Sequence, residues 1–136
     1  MAETLLLQLV SPERLLVEEQ VTEVQIPALD GYIGVLPGHA PLLSELKPGG
    51  VLTYKAGGQE RVTAVYGGFV EVLPNRARVL ADFAERKEEI NLEAAREKMR
   101  RAAEKLEEPR GEAVDPAVAL AEVMRAQAAV EAATKQ

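Results

Sequence analysis

Cysteine and tryptophan are absent from this chain of 136 residues, and histidine occurs once. Without thiols, disulfide frameworks, thiolate zinc sites and cysteine nucleophiles are excluded. Basic side chains are the minority, 16 against 22 acidic, giving a formal net charge of −6. A general nucleic-acid binder needs a basic surface to displace counterions, so no nucleic-acid partner is expected. Long hydrophobic runs are also missing. No apolar stretch approaches the roughly 20 residues of a membrane-spanning helix, and the N-terminus lacks a basic region leading into an apolar one. The expectation is a cytosolic or matrix-facing chain with no membrane span, long enough to bury a core without metals or disulfides.

What is present divides the chain. Up to Ala84 lie all five aromatic residues, nine of the ten glycines and six of the eight prolines. The remaining 52 residues hold 13 alanines, no aromatic residue, and 10 basic against 12 acidic side chains. Such a shift marks two differently built parts. We place the boundary between residues 1–85 and 86–136.

The first part reads as short strands broken by turn chemistry about every ten residues, the pattern of an all-β sandwich or barrel. Leu5–Val10 is an opening strand stopped at Ser11-Pro12. Residues 21–28 alternate, with Val24, Ile26 and Ala28 on one face and Glu23 and Gln25 on the other, as in a half-buried strand. Asp30-Gly31 is a hairpin turn signal leading into residues 32–36. Further strands are expected over 42–46, 51–55, 62–65, 69–73 and 77–81. Lys47-Pro48-Gly49-Gly50, Gly57-Gly58, Gly67-Gly68 and Pro74-Asn75 separate them. The expected result is two packed antiparallel sheets.

From Ile90 the periodicity becomes helical. Asn91 suits an N-cap, since its side-chain oxygen can accept a free amide of the first turn, and Glu93 complements the helix dipole. Leu92, Ala95, Met99, Ala102 and Leu106 recur in steps of three and four as one narrow apolar stripe. Glu107-Glu108-Pro109-Arg110-Gly111 cannot continue the helix. Asp115-Pro116 starts a second one, with Asp as N-cap and Pro where its missing amide costs nothing. Leu120, Val123, Val130 and several alanines give that helix an apolar face. A short connection makes the two helices antiparallel neighbours. The fold class is therefore β plus α: an N-terminal antiparallel β-sandwich, then a C-terminal antiparallel helical hairpin. The hairpin's apolar face is mostly alanine, which buries little area, so it needs a third surface to be secure.

Catalytic constellations are not found. His39, in Leu36-Pro37-Gly38-His39-Ala40-Pro41-Leu42, has no serine or carboxylate at a recognisable triad spacing. It reads as a histidine bonding its own loop or as a protein contact. A lone histidine with scattered carboxylates gives no metal cluster, and no glycine-rich loop opens a helix with Gly-Lys-Ser/Thr. Neither a catalytic centre nor a bound metal is expected. Arg96, Arg100, Arg101 and Lys105 share neighbouring faces of the first helix. They could grip an anion such as a nucleotide phosphate or an acidic protein surface. The spacings Glu97–Arg101 and Arg100–Glu104 favour intrahelical ion pairs instead.

The run Asp30-Gly31-Tyr32-Ile33-Gly34-Val35-Leu36-Pro37-Gly38-His39-Ala40-Pro41-Leu42-Leu43 closely resembles the epsilon subunit of bacterial F-type ATP synthase, the delta subunit of mitochondria. Leu9-Val10-Ser11-Pro12-Glu13, Gly67-Gly68-Phe69-Val70-Glu71-Val72, Val79-Leu80-Ala81-Asp82 and Ile90-Asn91-Leu92-Glu93-Ala94-Ala95 resemble further stretches of that family, so the likeness covers essentially the whole chain. The resemblance implies a non-catalytic subunit of the central stalk, or rotor. Its sandwich binds the gamma subunit and rests on the c-subunit ring, and its hairpin either folds on the sandwich or extends into the alpha–beta catalytic hexamer and inhibits ATP hydrolysis. It implies a place at the cytoplasmic face of the bacterial plasma membrane, peripheral to it.

By the same resemblance, Asp30, Gly31, Tyr32, Gly34 and His39 are candidate contacts with the c ring or gamma, and Arg96, Arg100, Arg101 and Lys105 are the regulatory residues of the hairpin. Some family members bind ATP on the folded hairpin. Here Arg101 and Arg125 match candidate nucleotide contacts, but Asn91 replaces the usual acidic residue, Ala94 an arginine and Ala129 a further basic residue. The resemblance therefore implies weak or absent ATP binding and no cofactor. A nucleotide-sensing module is the reading from a different class; a free-standing sandwich enzyme fails for want of catalytic groups.

Overall fold

Alternation of buried and exposed side chains along Leu5–Val10 sets the pattern for the first half of the chain. The computed structural model describes residues 3–107 and 115–135. Ten strands form two five-stranded sheets. The first sheet has the order β2-β1-β9-β8-β5, built from β1 (Leu5–Val10), β2 (Leu15–Val21), β5 (Leu42–Glu45), β8 (Gly68–Leu73) and β9 (Arg76–Ala81). The second has the order β10-β7-β6-β3-β4, from β3 (Glu23–Ala28), β4 (Gly31–Val35), β6 (Gly50–Ala56), β7 (Gln59–Val65) and β10 (Ala84–Arg86).

The inner faces meet in a core of Leu5, Leu7, Leu9, Val21, Val24, Ile26, Val35, Leu52, Val65, Val70, Val72 and Val79, with smaller residues between them. Val24, Ile26 and Ala28 point inward and Gln25 outward, as the alternation predicts.

Three features depart from the strand expectations. Strand β2 was not expected, because Glu18, Glu19 and Gln20 interrupt the apolar pattern. It is an edge strand whose polar residues face solvent, and its register with β1 shifts at Leu9/Val10. The three-residue strand β10 is too short and charged to show a period, and it exists by pairing with β7. The sheets are not wholly antiparallel, since β1 and β9 run parallel, with Leu6 opposite Arg76 and Val10 opposite Leu80. Strand direction across a gap of some 70 residues follows from the path of the chain and has no local signature.

Two helices follow a 3-10 turn over Lys87–Glu89: α1 (Leu92–Glu107) and α2 (Pro116–Thr134). Both expected caps form. Asn91 Oδ1 accepts from the Ala94 amide at 3.0 Å, and Asp115 Oδ1 accepts from the Ala117 amide at 2.9 Å. The connection between the helices lies outside the described residues.

Helix α1 packs chiefly on α2, and α2 packs on β6 and β7. A second apolar cluster forms there from Val51, Val62, Ala64 and Tyr66 of the sheet region and Ala128 and Ala132 of α2, with Ile90 and Ala129 beside them. The sandwich thus supplies the third surface that the thin hairpin requires. Leu106 and Leu120, expected on the apolar faces, are exposed. They sit at the connected ends of the helices, beyond the part of α2 that rests on the sheet.

The junction is fastened to the sandwich. Arg14 donates through its two terminal guanidinium nitrogens to the Glu89 carboxylate, at 2.7 Å each, and Arg86 donates to the Leu16 carbonyl at 2.6 Å. Lys87 Nζ donates to the Lys135 carbonyl, tying the base of α2 to the same turn. Arg14 holds the Glu89 carboxyl down at about 2, helped by the Arg86 backbone amide.

Candidate functional site

The candidate ring-contact residues occupy β4 and its two ends. Asp30 is exposed at the β3–β4 turn, and Gly31 closes that turn with φ +138°, which favours glycine. Tyr32 lies opposite Pro27. Its hydroxyl accepts from the Val51 amide at 3.0 Å, and Lys47 Nζ stands 4.8 Å from the ring centroid. Partial burial pushes the phenol pKa up. The ring is therefore fixed in one orientation, with about half its surface open.

Gly34 lies mid-strand opposite Gln25. At the far end, His39 is half-buried. Its backbone amide donates to the Leu36 carbonyl at 3.1 Å. Its Nδ1 donates to the Ala40 carbonyl at 2.6 Å, so the ring bonds its own loop. The Gly38 amide ties that loop to the Pro74 carbonyl at 2.7 Å. Because β4 spans five residues, roughly 16 Å separates the Asp30–Gly31–Tyr32 tip from the His39 loop. These residues belong to two ends of the sandwich and do not form a single site.

A surface that the sequence reading did not single out lies on the outer face of the first sheet. Val10 pairs with Leu15 of β2 and with Leu80 of β9, and Leu80 pairs with Phe69 of β8. The four side chains form one apolar row across four strands, with Leu15 at 51%, Leu80 at 50% and Phe69 at 54% exposure. Contiguous exposed apolar area of this kind marks interaction sites. Each residue alone is an ordinary outward position, and only the register of four strands assembles them.

The outer face of the second sheet is covered in part by α2. Between the helices and the sandwich lies a cavity of about 630 Å³, lined by Lys98, Arg101, Lys105 and Arg125 together with Asp82, Glu85 and Glu122. The structure thus brings Arg101, Lys105 and Arg125 to one place and adds Lys98, which the sequence reading did not nominate. Arg96 and Arg100 lie outside it. Arg100 is engaged with Glu97 and Glu104, both at 2.5 Å, and Arg101 with Glu97 at 3.0 Å, as the helical spacing predicts. Arg100, with Arg101, holds Glu97 down at about 2.

Within the cavity, Lys105 lies 3.8 Å from Glu122. Tyr66 donates to Glu85 at 2.5 Å, and burial, with Glu85 next to it, pushes the Tyr66 phenol far up. Four cations therefore face three carboxylates, two of them already bonded. Among the described residues no cluster of ligating side chains suits a metal, and no helix is long and apolar enough to cross a membrane.

A β-sandwich with an exposed apolar row on one sheet and a helical pair docked on the other is a two-part class of fold, sandwich then hairpin. The family model described as ATP synthase, Delta/Epsilon chain, beta-sandwich domain matches residues 4–87. An ATP synthase epsilon chain of Solibacter usitatus (strain Ellin6076) is 53% identical over 136 residues, covering 100% of each chain. A chain in a structure of the Euglena gracilis mitochondrial ATP synthase (OSCP, F1 and c-ring, rotational state 1) superposes with a TM-score of 0.73 at 26% identity, covering 96% of this chain and 78% of that one. One from the central stalk and c-ring of the Tetrahymena thermophila mitochondrial ATP synthase superposes at 0.64 over 96% of both chains. At 14% identity that second likeness shows the fold alone. The chain belongs to the ATP synthase epsilon chain family.

Proposed function

We propose that this chain is a non-catalytic rotor subunit of a proton-translocating ATP synthase, peripheral to the membrane on its cytoplasmic face. Residues 1–85 bind the gamma subunit and rest on the c-subunit ring, and residues 86–136 regulate hydrolysis by the alpha–beta hexamer. The observation that carries this reading is the division of the sandwich surface: α2 occupies one sheet, while the Leu15–Val10–Leu80–Phe69 row leaves the other open. The open row is the gamma-docking face, since burying it on a partner removes apolar area from water without disturbing the hairpin. The Asp30–Gly31–Tyr32 tip, with its ring held in place, meets the polar loops of the c ring. A rigid two-sheet body then transmits rotation from ring to gamma.

Regulation rests on the thin alanine seam under α2. Released, the hairpin would bring Arg96, Arg100, Arg101 and Lys105 to acidic surfaces of the catalytic head, exchanging their intrahelical pairs for intermolecular ones. The experiment is co-purification of the tagged chain with gamma and the c ring, with hydrolysis measured before and after deletion of residues 88–136. We expect intact assembly and faster hydrolysis. Failure to co-purify removes the rotor reading, and unchanged hydrolysis removes the inhibitory one.

The cavity favours a second, subordinate reading in which a nucleotide phosphate enters beside Lys98, Arg101, Lys105 and Arg125 and holds the hairpin folded. Asp82, Glu85 and Glu122 on the same walls, and Ala129 at a position where the family has a basic residue, keep the expected affinity weak. Micromolar binding of ATP by calorimetry would contradict that.

A further inference from the structure

Gly49 stands just before β6 and Gly50 opens it, yet their missing side chains serve different partners. A methyl group on Gly50 would press into the Pro27 ring of β3, within the second sheet itself. A methyl group on Gly49 would lie 2.5 Å from Arg125 Cα and 2.5 Å from the Met124 carbonyl oxygen, both backbone atoms of α2. Gly49 is not among the glycines with positive φ, so its own backbone conformation does not require glycine. Only the helix lying across it demands glycine.

The contact sits about one helical turn before Ala128 and two before Ala132, the residues that place α2 on Val51, Val62 and Ala64. Gly49 and these alanines together let the helix backbone approach the sheet closely. The same approach brings Arg125 to the cavity wall.

We propose that Gly49 is the seat of α2, the contact by which the sandwich selects the folded hairpin over the released one. This rests on the reading of the hairpin as a movable unit. A β-carbon at position 49 displaces the helix by about an ångström to reach ordinary contact, and close-packed seams do not deform by that much without losing their contacts. An alanine seam has little contact area to lose before it parts. The sandwich core, on the other side of the sheet, keeps its packing.

Hydrogen exchange of the full chain, read by mass spectrometry for wild type, Gly49→Ala and Gly50→Ala, tests the seat. Gly49→Ala should speed exchange in α2 by about tenfold or more while β1 and β9 exchange as in wild type. Gly50→Ala should instead speed exchange in β3 and β6. An increase in α2 below about threefold, or an equal loss of protection in β1 and β9, overturns the proposal. Hydrolysis by the assembled complex separates the two readings. If Gly49→Ala frees α2 but leaves hydrolysis unaltered, the seat stands and the inhibitory role falls.

Discussion

Between the two sheets, Leu5, Leu7, Leu9, Ile26 and Leu52 interlock with a set of fully buried valines; between the second sheet and α2, the helix contributes Ala128 and Ala132. A buried leucine is worth about 1.5–3 kcal/mol relative to an exposed one, and an alanine far less. The first seam also joins strands that are hydrogen-bonded to neighbours on one or both sides, whereas among the described residues no backbone hydrogen bond joins α2 to the sheet. The contrast separates a tightly interlocked body from an element held by a thin seam. Low-stability units of this second kind are where switching motions are found.

The largest test of that contrast is Leu7→Ala. Leu7 is fully buried, so its truncation should cost about 2–5 kcal/mol, read as a lower urea midpoint of the sandwich. An isolated loss of α2 signal would break the comparison from one side. Ala132→Asp probes the other seam. Ala132 is fully buried in an apolar cluster with Val51, Val62 and Ala64, so a carboxylate there loses its water. The hairpin should undock, with a cost of about 1–3 kcal/mol seen as faster exchange in α2 and unchanged exchange in β1 and β9. Cooperative unfolding of both parts would show that the hairpin is no separate unit.

The smallest expected effect concerns the junction and depends on pH. Arg14 depresses the Glu89 carboxyl from its ordinary 4.5 to about 2. Because the folded value is the lower one, the clamp's contribution is present above about pH 4.5 and fades as the pH falls through about 2. Solvent screening keeps that contribution small. Thermal melts of wild type and Glu89→Gln should differ near neutral pH and converge toward pH 2. A difference that persists at pH 2 would remove the ion pair as its cause.

Much of the fold could be read locally. The alternation of Val24, Gln25 and Ile26, the Asp30-Gly31 turn and the Asn91 and Asp115 caps depend on neighbours within a few residues, and all appear where the sequence puts them. Strand β2 escaped because an edge strand owes its pairing to β1 and keeps its charges in water. Leu106 and Leu120 misled because a helical stripe records which residues could be buried, and among the described residues none covers that end of the hairpin.

The candidate site shows the same limit. The spacing of Glu97, Arg100, Arg101 and Glu104 along one helix determined their ion pairs without help from the rest of the chain. The union of Arg101 with Arg125 in one cavity, the separation of Tyr32 from His39 by the length of β4, and the row from Leu15 to Phe69 did not follow from spacing. Nor did the reason for glycine at 49. Composition and period determine what each segment can bury, because those are properties of one strand or helix. Which surface is then left open, and which backbone passes within contact of another, only the tertiary structure decides, since both depend on atoms far apart in the chain.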